Sequence, residues 1–241
     1  GCPYDCFFCG SRHIWSRRVR YRSPRNIVEE IRSLQARYHV KSIHFDDDTF
    51  GVTSTYLHAV CRAIREYCPG LSWSCELPVQ LADAQNIACM KSAGCSAIQI
   101  GVESGNDAIL SAIRKSTTVK AAVRACDAVV RHGISLEVFI IVGFPQDTEE
   151  TLRDTIRLMQ KIRCDKISYS IFTPYPGTEA FRYCMERGLI GKDYDVSLYH
   201  HQSPANNFCL AVPPERFRAI VAGVERQVDK KNYRHRMKQM L

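Results

Sequence analysis

The feature that most restricts the fold of this chain is a repeated alternation of short apolar runs with longer amphipathic stretches. The apolar runs predict strands that begin near residues 42, 71, 97, 135 and 166. Residues with helical periodicity fill the intervals, as in 119–131. A strand that recurs after each helix is typical of βα units, which build a parallel sheet wrapped by helices. The sequence therefore predicts an α/β fold, and this pattern alone leaves open whether the sheet closes into a barrel.

Helix boundaries are marked by residues that cap helices. Ser23 followed by Pro24 predicts one helix start, and Asp83 and Thr148 predict two others. After Gly188 the pattern weakens, and one more helix is predicted over about 215–231. We therefore divide the chain into a main unit, 1–188, and a C-terminal extension, 189–241.

The composition is that of an ordinary globular protein. Hydrophobic residues make up 45% of the 241 residues and charged residues 24%, which argues against a disordered, collagen-like or coiled-coil chain. No run approaches the roughly 18 apolar residues of a membrane span. Most of the twelve cysteines stand singly among apolar residues, like free thiols in a core. This usage predicts a reducing, cytoplasmic compartment.

The net charge of +8 is concentrated in two segments. Six arginines and no acid fall between Gly10 and Val28, and five further bases and no acid between Lys230 and Lys238. Outside those eleven bases, the chain has 22 Lys and Arg residues and 25 Asp and Glu residues. Basic segments suit nucleic acid or another anionic partner, although a solvated surface or a terminal tail is the commoner explanation.

The sharpest local signal is a cysteine triplet, Cys2, Cys6 and Cys9, with C-x3-C-x2-C spacing. Three thiolates this close in sequence can wrap one metal centre. A structural zinc ion needs four ligands, and His13 would complete a Cys3His set. An iron–sulfur cluster held by three cysteines instead leaves one iron open for another ligand. The spacing alone does not decide between the two.

Polar and glycine-rich motifs follow the predicted strands. In parallel α/β proteins, functional groups gather at the carboxyl ends of the strands. Three of the five ends carry carboxylates and one is glycine-rich. The five ends are Asp46-Asp47-Asp48, Glu76, Glu103-Ser104, Gly143-Phe144-Pro145 and Phe172-Thr173-Pro174. This arrangement predicts a ligand-binding rim.

With these motifs in this order, residues 1–188 resemble the radical S-adenosylmethionine (SAM) enzymes. The quoted segments are the triplet with Phe8 before its last cysteine, Phe45-Asp-Asp-Asp-Thr-Phe50, Gly101-Val-Glu-Ser-Gly105, Gly143-Phe-Pro145 and Pro174-Tyr-Pro-Gly-Thr178. Within the superfamily the chain is most similar to the group that often carries an upstream cobalamin-binding domain. The resemblance implies a partial (β/α)6 TIM-like barrel, whose first strand we expect to precede Gly1 and to be absent here together with any cobalamin domain.

The resemblance also implies the cofactors and their ligands. Cys2, Cys6 and Cys9 would hold a [4Fe-4S] cluster whose open iron chelates SAM, and reductive cleavage of SAM would give a 5′-deoxyadenosyl radical for hydrogen abstraction or radical methylation. The positions that the resemblance assigns to SAM binding are Phe8, Asp46, Asp47, Glu103, Ser104, Lys115, Gly143, Pro145, Phe172 and Pro174. It assigns no further catalytic residue.

These implications describe an enzyme, either an oxidoreductase or a methyltransferase, with a small-molecule substrate. An electron donor such as flavodoxin or ferredoxin is the implied partner. One alternative is a tRNA-modifying enzyme resembling methylthiotransferases, in which the basic segments contact phosphates. Another is a non-enzymatic zinc-binding interaction module that uses His13.

Overall fold

The computed structural model describes residues 1–199, 201–203 and 206–239, with 234–239 described by backbone only. Within these residues, five strands alternate with α-helices. The strands are β1 (Ser42–Phe45), β2 (Ser72–Glu76), β3 (Cys95–Glu103), β4 (Ser135–Val142) and β5 (Lys166–Ile171). The helices are α1 (Ser11–Trp15), α2 (Pro24–Tyr38), α3 (Ser54–Tyr67), α4 (Ala84–Ser92), α5 (Asp107–Ala112), α6 (Val119–Arg131), α7 (Glu149–Lys161), α8 (Glu179–Glu186) and α9 (Pro214–Gln239), with 3-10 turns at Val79–Leu81 and Val196–Leu198.

The sheet is parallel throughout, and its strands follow one another in chain order from β1 to β5. The predicted α/β fold is therefore confirmed. Parallel order brings all the loops that follow the strands to one edge of the sheet, which is where the sequence motifs lie.

The two faces of the sheet differ in chemistry. One face carries fully buried apolar side chains, such as Ile98, Val138 and Ile167, beneath the helices. The other face carries polar side chains that are only partly covered and hydrogen-bond across the strands, including His44, Ser74, Gln99, Glu137 and Ser168. All-parallel sheets usually have both faces covered by apolar packing. The polar face is therefore available to a ligand.

The predicted caps explain why the helices begin where they do. Ser23 accepts a hydrogen bond from the backbone N–H of Asn26, with Pro24 in the first helical position. Asp83 caps α4 in the same way. Thr148 and Thr151 cap each other reciprocally at the start of α7.

The predicted end of the last helix is wrong, because α9 continues well past residue 231. Its first half is fixed by Phe217, which is fully buried in the main core. Its second half is held at the start of β5, where the Asn232 side chain bonds both the N–H and the C=O of Ile167. Tertiary contacts thus extend a helix whose sequence periodicity fades. In the described residues no helix is both long and apolar enough to cross a bilayer.

Gly143, at the end of β4, provides a matched stability test with Gly177. The two glycines have nearly equal positive φ angles, 88° and 86°. A Cβ at Gly143 would lie 2.7 Å from Cζ of Phe217, whereas a Cβ at Gly177 would meet nothing within 4 Å. We expect Gly177→Ala to lower the free energy of unfolding by about 1–2 kcal/mol. Gly143→Ala should lower it by about 1–3 kcal/mol more, because α9 must shift. Urea unfolding of both variants measures the difference, and equal costs would contradict the packing.

Candidate functional site

The cysteine triplet lies in a loop, residues 1–9, over the carboxyl end of the sheet. Cys2 Sγ is 3.4 Å from Oγ1 of Thr49, which follows β1. The buried Phe7 fixes the middle of the loop, since its N–H donates to Ile113 O at 3.0 Å and its C=O accepts from Ala180 N–H at 3.2 Å. The triplet is therefore held by segments from three parts of the chain.

Ion pairs hold the same loop from outside. Asp5, between the first two cysteines, pairs with Arg12 and lies 3.9 Å from Arg17. Arg114 donates to the backbone carbonyl of Asp5 at 3.0 Å and makes a bidentate pair with Glu179 at 3.2 and 2.5 Å. Bidentate guanidinium–carboxylate pairs fix geometry more firmly than single contacts.

Beneath the loop is a cavity of about 190 Å³ that all three cysteines line. Three further residues that the resemblance assigns to SAM binding line it as well: Phe8, Glu103 and Lys115. Phe8 packs against Phe144, with ring centroids 5.5 Å apart. The structure thus brings six of the predicted site residues together.

Glu103 and Lys115 form a close ion pair at 2.7 Å, with side chains 8% and 21% exposed. Burial is the largest single influence on Lys115 and opposes its charge, but Glu103, Cys6 and Cys2 together outweigh burial, so the pKa of the ammonium is raised. Glu103 has φ +67°, which is strained for a residue other than glycine and is typical of functional sites. At Gly101 a Cβ would come within 2.8 Å of Lys115 Nζ. Glycine at that position leaves room for the pair.

Burial favours the neutral form of two of the three thiols, Cys6 and Cys9. Burial raises the pKa of Cys6 to about 11, although the nearby Lys115 ammonium lowers it. Burial also raises the pKa of Cys9, against a lowering hydrogen bond from the backbone of Ser11. Binding of a metal centre would displace these protons, as it does at cysteine sites generally.

The donor set fits an iron–sulfur cluster better than zinc. Within the described residues no three His, Cys, Asp or Glu side chains are arranged to hold one metal ion. A zinc site needs four ligands around one ion. The predicted fourth ligand, His13, is exposed on α1 and does not line the cavity. A four-iron cluster binds each thiolate at a separate iron, so three cysteines around one cavity suit it.

The three aspartates after β1 do not share one surface. Asp46 and Asp47, the two predicted to contact SAM, line a second cavity of about 540 Å³. Asp48 lines the cysteine cavity instead, and it accepts a hydrogen bond from Ser11 Oγ at 2.8 Å. The turn after β1 therefore presents Asp48 to the cysteines rather than the predicted pair.

The other predicted positions lie outside the cysteine cavity. Ser104 is 1% exposed. Its Oγ lies 3.4 Å from Oγ1 of Thr155 on α7. Phe172 packs against Phe144 in a tilted arrangement, with ring centroids 5.3 Å apart. The remaining three, Gly143, Pro145 and Pro174, do not line the cavity either. Their assignment to SAM binding stays a prediction.

Several lining residues were not identified from the sequence. They include Tyr4, Thr49, Gln80, Gln99, Thr117 and Phe139, whereas Glu76, which also lines the cavity, belongs to the rim predicted from the strand ends. Gln99, Gly101 and Glu103 are spaced two apart on β3, which places them on one face of the sheet. That alternation was the signal that could have revealed Gln99.

Asp147 fixes the Gly143–Pro145 turn, because its carboxylate accepts the backbone N–H groups of Gly143 and Phe144 at 3.0 and 2.9 Å. Burial raises the pKa of Asp147 to about 6, with hydrogen bonds from Thr151 and the two N–H groups opposing it. The folded protein therefore holds this proton more tightly than the unfolded chain. This contribution to stability is full below pH 4 and is lost as the pH rises through 6.

We therefore expect Asp147→Asn to flatten the pH dependence of the free energy of unfolding between about pH 4 and 6.5. The slope removed should integrate to at most about 3 kcal/mol. Urea unfolding across that pH range, with Asp195→Asn as a surface control, measures it. An unchanged slope in Asp147→Asn would contradict this prediction.

The sequence model of the Radical SAM superfamily matches residues 1–159. The chain belongs to the radical SAM superfamily. An uncharacterized methyltransferase of Pyrococcus horikoshii is 30% identical over 190 residues, which is 79% of this chain and 41% of that protein. An anaerobic magnesium-protoporphyrin IX monomethyl ester cyclase of Rubrivivax gelatinosus is 26% identical over 85% of this chain and 36% of its own length. This radical SAM chain thus spans about two fifths of such relatives.

Solved structures confirm the fold. The radical SAM methyltransferase TsrM of Kitasatospora setae, determined with cobalamin and a [4Fe-4S] cluster, superposes with a TM-score of 0.69. It is 19% identical, covering 78% of this chain and 35% of that one. OxsB, a cobalamin-dependent SAM radical enzyme, superposes with a TM-score of 0.62. It is 18% identical, covering 94% of this chain and 34% of that one. The predicted partial barrel is confirmed, and in fold it is similar to these two enzymes, both named with cobalamin. The expectation of an enzyme is confirmed too, while relatives that include methyltransferases and cyclases leave the subclass open.

Proposed function

We propose that this chain is the catalytic core of a radical SAM enzyme that binds a [4Fe-4S] cluster through Cys2, Cys6 and Cys9 and binds SAM beside it. The observation that carries the proposal is one cavity lined by the three thiols and by the Glu103–Lys115 ion pair. Thiols suit iron, and a facing pair of opposite charges suits the ammonium and carboxylate of SAM.

The bound cluster and SAM would supply one-electron cleavage of a carbon–sulfur bond, and the chain's own residues position and shield them. Glu103 and Asp48 are placed to accept hydrogen bonds from an ammonium, and Lys115 to donate to a carboxylate. Phe8 and Phe139 give the cavity an apolar wall that excludes water.

We further propose that the substrate lies on the polar face of the sheet. The carboxylate of Glu137 on that face already has three partners within the chain. They are Ser168 at 2.6 Å, Lys166 at 2.7 Å and Gln99 at 3.2 Å. Glu76 at the end of β2 has no ion-pair partner among the described residues, and it lines the cysteine cavity. A free carboxylate there favours a small polar substrate with an amine or another hydrogen-bond donor.

The domain division and partners are part of the proposal. Residues 1–188 form the catalytic core and 189–241 an extension whose α9 packs into the same core. An electron donor such as flavodoxin or ferredoxin reduces the cluster. Cobalamin would act from another part of the whole protein, and its role is supported by the cobalamin-dependent relatives alone.

Anaerobic reconstitution with iron and sulfide tests this function. We expect a brown protein that forms 5′-deoxyadenosine and methionine from SAM under a low-potential reductant, measured by liquid chromatography with mass spectrometry. A colourless protein that takes up zinc and leaves SAM intact would contradict the proposal.

A further inference from the structure

An exposed patch of aromatic and arginine side chains follows the cysteine loop directly. We call it the aromatic–arginine patch; its members are Ile14, Trp15, Arg17, Arg18, Arg20 and Tyr21. Ile14 is 69% exposed, Trp15 44% and Tyr21 48%. Exposed aromatic and arginine residues in one cluster are typical of the centres of protein interfaces. Lone exposed apolar residues are common on surfaces. Here Ile14 and Trp15 are adjacent and both exposed, and Tyr21 packs only one side of its ring on Tyr56, with ring centroids 4.4 Å apart.

The patch forms the outer wall of the cysteine loop. Arg17 donates to the backbone carbonyl of Pro3, between Cys2 and Cys6, at 3.2 Å. Gly1 is so close to this segment that a Cβ there would lie 3.2 Å from Cβ of Trp15. A molecule seated on the patch would therefore be separated from the cysteines by a single layer of chain.

The charge of the patch is largely unneutralised. Arg18 and Arg20 have no ion-pair partner among the described residues, and Arg20 lies over the ring of Trp15 at 5.8 Å. Arg17 only shares Asp5 with two other arginines. The patch therefore presents positive charge around an apolar centre, which complements an acidic protein surface.

The second basic segment lies elsewhere. Lys231 donates to Ile162 O and Asn232 bonds Ile167, so this part of α9 sits at the amino ends of the strands. The cysteine loop and the patch lie at the carboxyl ends. The two basic segments thus do not join into one track along which a nucleic-acid backbone could run.

We propose that the aromatic–arginine patch is the docking surface for an acidic one-electron carrier protein that reduces the cluster. The inference rests on the proposed function, since it assumes a cluster in the cysteine loop. One electron leaves the reduced carrier, which is oxidised by one electron, and enters the cluster, which is reduced by one; no group is transferred. A small basic patch suits the weak, brief contacts of electron-transfer partners.

The test compares two reductants on the reconstituted protein. Reduced flavodoxin serves as the acidic carrier, and titanium(III) citrate as a small reductant that needs no docking surface. The variant is Arg18→Glu with Arg20→Glu, and the matched control is Arg62→Glu with Arg65→Glu on α3, where both arginines are also exposed. The readout is the initial rate of 5′-deoxyadenosine formation at low and high salt.

We expect the Arg18/Arg20 variant to lower the flavodoxin-driven rate at low salt by about tenfold or more, and to leave the titanium-driven rate unchanged. The control pair should change neither rate. Salt should slow the flavodoxin-driven reaction of the wild type and have little effect on the variant. A milder pair, Arg18→Gln with Arg20→Gln, should lose part of the flavodoxin-driven rate.

An unchanged flavodoxin-driven rate in the Arg18/Arg20 variant would overturn the proposal. Equal losses with both reductants would overturn it too, because the patch would then act on the cluster and not on the carrier. Salt-sensitive tRNA binding that the variant abolishes, with the flavodoxin-driven rate intact, would assign the patch to nucleic acid instead. Failure of the proposed function would look different, since the wild type would then form no 5′-deoxyadenosine with either reductant.

Discussion

Replacing any one of Cys2, Cys6 or Cys9 with alanine is expected to abolish both the iron–sulfur cluster and SAM cleavage. The three thiols are the only cysteines that line the cavity described here. A cluster with three protein ligands has no spare thiolate, so the loss of one leaves two irons without protein ligands. Iron content should fall from about four per chain to near background. The 5′-deoxyadenosine product should fall with it.

Cys164→Ala is the matched control for these variants. Cys164 is a partly buried thiol just before β5, and burial raises its pKa to about 11 as it does for Cys6. It lies at the amino end of the sheet, away from the cavity. The control should keep its iron and its activity. A full complement of iron in Cys6→Ala would contradict the ligand assignment.

The second large effect is expected at the Glu103–Lys115 pair. Glu103→Gln keeps the shape of the side chain and leaves the Lys115 ammonium without its carboxylate. We expect a loss of about 2 kcal/mol in the free energy of unfolding. SAM affinity should fall about 10- to 100-fold, because a charge-assisted hydrogen bond is lost. Calorimetric titration of SAM into the reconstituted protein measures the affinity.

Two comparison variants separate binding from stability. Glu137→Gln breaks another ion pair on the same sheet, Lys166–Glu137 at 2.7 Å, and should cost stability without changing SAM affinity. Adding Lys115→Met to Glu103→Gln removes the unpaired charge, so it should restore stability but not SAM binding. If SAM bound equally well to Glu103→Gln and to the wild type, the pair would have no part in the site.

The sequence determined most of the fold because strong local signals agreed with the tertiary structure. The apolar runs of β3 to β5 and the caps at Ser23, Asp83 and Thr148 were all recognisable. The short helices α1, α5 and α8 were not, because five to eight residues show too little periodicity. The end of α9 depends on Asn232 contacting β5, which no local pattern reports.

The candidate site was predictable where a motif fixes the backbone, and less so where the side-chain direction depends on a turn. The triplet and Glu103 follow from their motifs. The run Asp46-Asp47-Asp48 has three equivalent carboxylates in sequence, and only the turn after β1 decides that Asp48 faces the cysteines. Glu76 was recognisable as a strand end, whereas Gln99 belongs to a polar sheet face that becomes visible only when the strands are aligned.

The most direct test of the account is electron paramagnetic resonance of the reconstituted, reduced protein with and without SAM. A cluster held by Cys2, Cys6 and Cys9 has one iron free to bind SAM, so we expect a reduced [4Fe-4S] signal whose g values shift when SAM is added. A signal that SAM leaves unchanged would contradict the claim that this cavity presents an open iron to SAM, and so would the absence of any iron–sulfur signal.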